Sequence, residues 1–117
     1  MVTYLDADVA PLRNTGQIRL YGPDAFAQMR KACQLTAQCL DELTEIVQPG
    51  VTTAAIDRFV FEFGMDNNAM PATLNYRGYP KSSCTSINHV VCHGIPSDRK
   101  LKNGDIINID VAIIKDG

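Results

Sequence analysis

The residues able to do chemistry crowd into one span. Asn75 to His93, N-Y-R-G-Y-P-K-S-S-C-T-S-I-N-H-V-V-C-H, holds both histidines, two of the four cysteines and a dense Gly/Pro/Tyr cluster. Asp105 to Val111, D-I-I-N-I-D-V, adds a lone carboxylate, Asp110, among apolar residues. With period two, one strand face is Ile107, Ile109, Val111 and Ile113, and the other is Ile106, Asn108, Asp110, Ala112 and Ile114. Asp110 is therefore expected to point into an apolar layer with Asn108 as its polar companion. A carboxylate taken out of water is costly unless it meets a cation or several donors. Pairing with a lysine, an arginine or backbone amides, a wet strand face, and metal ligation are the three readings. The residues alone favour pairing or a wet face over metal.

His89-x3-His93 with Cys84 and Cys92 nearby suggests zinc, but structural zinc sites usually present a close cysteine pair, and these two are too far apart. Each histidine reads more simply as a hydrogen-bonded residue in a pocket wall. Tyr76 and Tyr79 flank Arg77-Gly78 and fit either a base-stacking platform or the wall of a small apolar pocket. A net charge of -2 disfavours nucleic acid, since counterion release needs a basic surface. The pocket reading stands, with Gly78 allowing a ligand close to the backbone.

Two helices are expected to position this span. Gly22-Pro23-Asp24 opens the first, with glycine at the cap, proline at the first helical position and an acid at the positive end of the dipole. Phe26, Met29, Cys33, Ala37, Leu40, Leu43 and Val47 form its apolar stripe, and Gln48-Pro49-Gly50 ends it. Thr52 caps the second, whose face is Ile56, Phe59, Val60 and Phe63, before Gly64 and Asn67-Asn68. Asp41, Glu42, Glu45, Asp57 and Glu62 read as solvated helix faces, and Cys33 and Cys39 as small core residues. Beyond Pro71 the period becomes two: Ser83 to Asn88, Val90 to Cys92 and Ile106 to Lys115 read as strand or extended. Residues 1–21 form an N-terminal arm, with Val9 to Gly16 a loop and Gln17 to Tyr21 a short edge strand.

At 117 residues, 45% hydrophobic and 21% charged, the chain is one domain or part of one in the ordinary globular class. No run reaches membrane-span length and the first residues lack a secretory pattern, so no membrane is expected and the cytoplasm is the default compartment. The cysteine spacing predicts free thiols. Lys115-Asp116-Gly117 is a turn signal directly after the strongest strand, so the chain is expected to be the front part of a longer domain. Its open strand edge could pair with a second copy.

The stretches 75–96 and 101–117, L-K-N-G-D-I-I-N-I-D-V-A-I-I-K-D-G in the second, closely resemble the N-terminal half of a type I methionine aminopeptidase, with G-P-D-A-F-A-Q-M-R and V-Q-P-G-V-T-T adding to the likeness from residue 22 onward. The resemblance implies an α/β (α+β) pita-bread fold, here two helices packed on an antiparallel-rich sheet, with 22–117 the N-terminal part of the catalytic domain. It implies removal of the initiator methionine from nascent polypeptides, at the ribosome, by two divalent ions (Co, Mn, Fe or Zn), with Na or K at a further site. Asp110 matches one of five metal ligands. His93 matches a catalytic histidine beside the substrate's peptide nitrogen; Tyr76, Tyr79 and Cys84 match the methionine pocket, and Asn88 and Val90 match carbonyl donors to the monovalent cation.

Arg77, Thr73 and Ala112 depart from the pattern, replacing a histidine, a cysteine and a threonine common in relatives. The second aspartate, the ligand histidine and both glutamates lie outside these 117 residues, so the chain alone is expected to be inactive. The alternative is a non-catalytic short relative that binds peptides or a partner. A prolyl dipeptidase is disfavoured by Y-R-G-Y-P-K-S-S-C.

Overall fold

The computed structural model describes residues 1–9 and 16–117, so most of the expected loop at Val9 to Gly16 lies outside the described residues. Strand β1 (Tyr4–Asp6) pairs in parallel with β2 (Ile18–Leu20), which is the expected edge strand. Helix α1 runs Pro23–Ile46 and α2 runs Thr53–Asp66. The local signals explain both starts. Gly22 caps α1 with Pro23 in its first turn, and the Thr52 side chain accepts a hydrogen bond from the Ala55 amide at 3.1 Å.

Two short antiparallel pairs follow these helices. Strand β3 (Ala69–Pro71) pairs with β6 (Ile113–Lys115), and β4 (Cys84–Ile87) pairs with β5 (Ile107–Asp110). The expected single strand over 106–115 is thus two strands divided at Val111-Ala112. One run of chain serves two partner strands in different places, and it bends between them. Strand β3 is short and has no alternating pattern of its own; pairing with β6 makes it. Val90 to Cys92 is not a strand: a turn closed by the Val90 amide on the Ile87 carbonyl at 3.1 Å precedes it, and the segment is exposed.

The core is Cys39, Leu43, Ile56, Val60, Phe63, Ile87 and Leu101, with Leu35, Ile46, Phe59, Ile107, Ile109, Val111 and Ile113 packed against it. On α2 this is the expected face. On α1 only the C-terminal end of the expected stripe, Leu43 and Val47, reaches the core: Phe26, Met29, Cys33, Ala37 and Leu40 are exposed, while the side through Leu35, Cys39, Leu43 and Ile46 packs toward α2 and β6. Helix α1 has apolar residues on two sides, and its neighbours cover one. Cys39 is a core residue, its thiol pushed up to about 11 by burial and then by the charge of Glu42, whereas Cys33 is not. All four thiols are free.

The loop from Gly94 to Asp105 is laced to the start of α2. Thr53 and Ser97 exchange hydrogen bonds at 2.8 and 3.1 Å, and the Leu101 amide reaches the Val51 carbonyl at 2.8 Å. These contacts hold the helices and the β4–β5 pair in one frame.

Candidate active site

The β4–β5 register creates the first juxtaposition. Cys84 lies opposite Asp110 and Ser86 opposite Asn108 on one face, while Thr85–Ile109 and Ile87–Ile107 share the other. The second face meets the core. The first carries Asp110 at its end, and there Asp110 is exposed rather than sunk in an apolar layer. The strand alternation is as expected, but only the β4 half of that face is covered: Cys84 and Ser86 are buried while Asn108 and Asp110 across from them are exposed, so for Asp110 the desolvation cost that demands a partner does not arise.

The segment from Thr73 to Ser83 builds a wall beside this face. Its backbone turns through left-handed conformations at Asn75 and Arg77 and makes a 3-10 turn over Tyr76–Gly78. The Arg77 guanidinium carbon lies 5.4 Å over the Tyr76 ring, within range of a cation–π contact. Tyr79 is held more firmly: its hydroxyl donates to the Ser83 carbonyl at 2.8 Å and lies 3.3 Å from that of Gly94. Burial, a hydrogen bond with Cys84 and the nearby Cys84, Asp57 and Asp110 charges push the phenol well above its ordinary range. It stays a neutral donor at any ordinary pH.

His93 completes the wall from the other side. It sits at φ 54°, a left-handed conformation uncommon for a side-chain-bearing residue. Next to it, Gly94 passes so close to β4 that an added Cβ would fall 2.1 Å from the Thr85 carbonyl oxygen. The Thr85 amide donates to the Gly94 carbonyl at 2.7 Å and the Gly94 amide to Ser86 Oγ at 3.0 Å. Tyr76, Tyr79, Cys84 and His93 thereby line one cleft of about 580 Å³, with Thr73, Arg77, Pro80 and Ile95.

Asn88 and Val90 lie elsewhere, in the turn after β4. Asn88 is at φ 53°, donates from its side chain to Asp105 at 2.9 Å and accepts from the Ile106 amide at 3.1 Å. Those bonds to Asp105, from Asn88 and the Lys102 amide, hold its carboxyl below the ordinary range. His89 is exposed and outside the cleft lining.

Among the described residues no group of three or more His, Cys, Asp or Glu is placed to hold a metal ion. Asp110 is a hard oxygen donor of the kind divalent cations accept, but a catalytic metal generally takes about three protein ligands. The chain fits as a contributor to such a site, and the described residues do not make one up.

One site-supporting residue escapes the sequence reading. Asp57 is not solvated: it is 8% exposed, and one of its oxygens accepts from the Ser82 amide at 2.9 Å and from the Ser83 amide and hydroxyl at 2.8 Å each. The signal was its position, since Thr53, Ile56, Asp57, Val60, Phe63 and Gly64 fall on one side of α2 at helical spacing.

Residues 27–117 match metallopeptidase family M24, and membership implies divalent metal cofactors. A methionine aminopeptidase of Rickettsia prowazekii is 54% identical over 100 residues, which are 86% of this chain and 39% of that protein. A chloroplastic methionine aminopeptidase 1B of Arabidopsis thaliana is 44% identical over 97% of this chain and 31% of its own length. The crystal structure of a Rickettsia prowazekii methionine aminopeptidase superposes with a TM-score of 0.80 at 55% identity, over 81% of this chain and 38% of that one. That of Thermotoga maritima gives 0.77 at 32% identity, over 81% and 39%. This chain thus spans well under half the length of these relatives, and over the residues covered its α/β fold is the corresponding part of their pita-bread fold. With the match extending from the first turns of α1 through β6, the chain belongs to metallopeptidase family M24.

Proposed function

We propose that this chain forms part of a methionine aminopeptidase that removes the initiator methionine from nascent proteins, with 22–117 in the catalytic domain and 1–21 an arm. The observation that carries the reading is the pairing of Cys84 with Asp110 across β4–β5, which sets an exposed carboxylate beside the cleft of Tyr76, Tyr79 and His93. In this reading Tyr76, Tyr79 and Cys84 surround the methionine side chain, and His93 hydrogen-bonds the peptide nitrogen of the substrate. Asp110 contributes one ligand, and the carbonyls of Asn88 and Val90 serve a monovalent cation. When bound, a metal pair supplies carbonyl polarisation and an acidified water. Cytoplasmic work on chains emerging from the ribosome belongs to the same proposal; among the described residues no helix is long and apolar enough to cross a membrane.

The full-length protein, supplied with manganese or cobalt, is expected to release free methionine from a Met-Ala-Ser peptide, to lose that activity in a chelator and to regain it on adding metal back. The 117 residues alone, with Asp110 as the one matched metal ligand, are expected to release none. A full-length protein that binds metal by calorimetry yet releases no methionine with cobalt, manganese, iron or zinc would overturn the reading.

A further inference from the structure

Asp57 lies on α2, outside the cleft lining, yet its bonds lead straight into the cleft wall. A single carboxylate oxygen gathers two successive amides, Ser82 and Ser83, and the Ser83 hydroxyl. Held by both its amide and its hydroxyl, Ser83 is fixed at N and Cα, one backbone rotation from its carbonyl, and that carbonyl accepts the Tyr79 hydroxyl at 2.8 Å. The residue after Ser83 is Cys84, at the start of β4 and also in the wall. Two cleft residues on opposite ends of the 79–84 segment are therefore referred to one buried anion. Its mount is rigid, because α2 is capped by Thr52 and tied to the 97–101 segment through Thr53. Charge-assisted bonds to a buried carboxylate are stronger than neutral ones, and a helix holds a group more closely than a loop does.

We infer that Asp57, through Ser83, is a positioning residue that sets the separation of Tyr79 and Cys84 and thereby the side-chain selectivity of the cleft. The inference rests on the aminopeptidase reading for its substrate. Asp57 touches no substrate in this scheme. A wall that drifts by a fraction of an ångström still admits a peptide, but it distinguishes a long unbranched side chain from a branched one less well.

The test compares kcat/KM for a methionyl and a leucyl peptide in the full-length, metal-loaded protein. The ratio of the two is insensitive to the fraction of protein folded, so a merely structural role leaves it unmoved. Asp57→Ala removes the acceptor. Ser83→Ala removes only the hydroxyl and keeps both amide bonds, which makes it the milder probe. Both are expected to lower the methionyl-to-leucyl ratio, by about tenfold for Asp57→Ala and less for Ser83→Ala. Asp57→Asn keeps an acceptor oxygen in place and is expected to restore most of the ratio. Amide hydrogen exchange gives an activity-independent readout, with Ser82 and Ser83 exchanging about tenfold faster in Asp57→Ala than in the parent. An unchanged ratio in both alanine variants, or unchanged exchange at Ser82 and Ser83, would overturn the inference. A parent protein that cleaves neither peptide would instead defeat the aminopeptidase reading, and the exchange rates would still decide whether Asp57 anchors the segment.

Discussion

Asp57 bonds the cleft wall at Ser82 and Ser83, Asp110 pairs with it at Cys84, and the two are treated in opposite ways. Asp57 is buried on α2 with three donors on one oxygen, and its neighbourhood of Ser82, Ser83, Tyr79 and Gly94 is laced by short hydrogen bonds. Asp110 ends β5 in the open, beside Cys84, with the core on the far face of its strand. The difference separates two uses of a carboxylate. One with an oxygen saturated by protein donors is spent on shape, and one left facing outward keeps its oxygens for a cation. The cleft therefore has an anchored half and an open half, and substitutions in the two should fail differently.

The largest effect is expected in the anchored half, at Gly94. A methyl group there meets the Thr85 carbonyl oxygen at 2.1 Å, its carbon at 2.8 Å and Ser86 Cα at 3.0 Å. All three are main-chain atoms, so no side chain can swing aside. Gly94→Ala must push the 93–95 segment off β4, breaking the Thr85–Gly94 and Gly94–Ser86 bonds and moving His93 with it. We expect a stability loss on the order of 3 kcal/mol or more by denaturant unfolding. A loss under about 1 kcal/mol would mean that the two segments are not in contact in solution.

Asp110→Asn probes the open half. With the carboxylate exposed, stability should change by no more than about 0.5 kcal/mol. Divalent-metal affinity in the full-length protein should fall by at least about tenfold, since a charged donor becomes a neutral one. Calorimetry and thermal unfolding on the same sample separate these outcomes. Substantial destabilisation without a change in metal affinity would make Asp110 a second anchored carboxylate and erase the contrast.

The features legible in the sequence were those decided by a few adjacent residues. Gly22-Pro23 and Thr52 mark both helix starts because capping is local. Ile56, Val60 and Phe63 declare the buried side of α2 by spacing alone. The gathering of Tyr76, Tyr79, Cys84 and His93 in one cleft followed from motif resemblance, not from periodicity. What escaped depends on partners distant in the chain. Strand β3 exists because β6 pairs with it, and the break at Val111-Ala112 exists because β4 and β3 lie apart. Helix α1 has two apolar sides, and nothing within it says which one α2 and β6 will cover. For the two aspartates, pattern assigned burial to the wrong member, because periodicity shows which residues share a face but not whether that face is covered.

The smallest effect should come from the seam between the halves, at Thr85. Its side of β4 faces the core with Ile87, it is 4% exposed, and its hydroxyl oxygen is buried without a hydrogen-bond partner among the described residues. The hydroxyl group has lost water and gained nothing, a deficit of roughly 1–3 kcal/mol for an unsatisfied buried group. Valine has nearly the same shape without that polar atom. Thr85→Val is therefore expected to hold or raise stability, by up to about 1 kcal/mol, and to leave the methionyl-to-leucyl ratio where it is, because the Thr85 side chain faces away from the cleft. Destabilisation beyond about 1 kcal/mol would show that the hydroxyl is satisfied in solution, and the core face of β4 would then be more polar than its packing indicates.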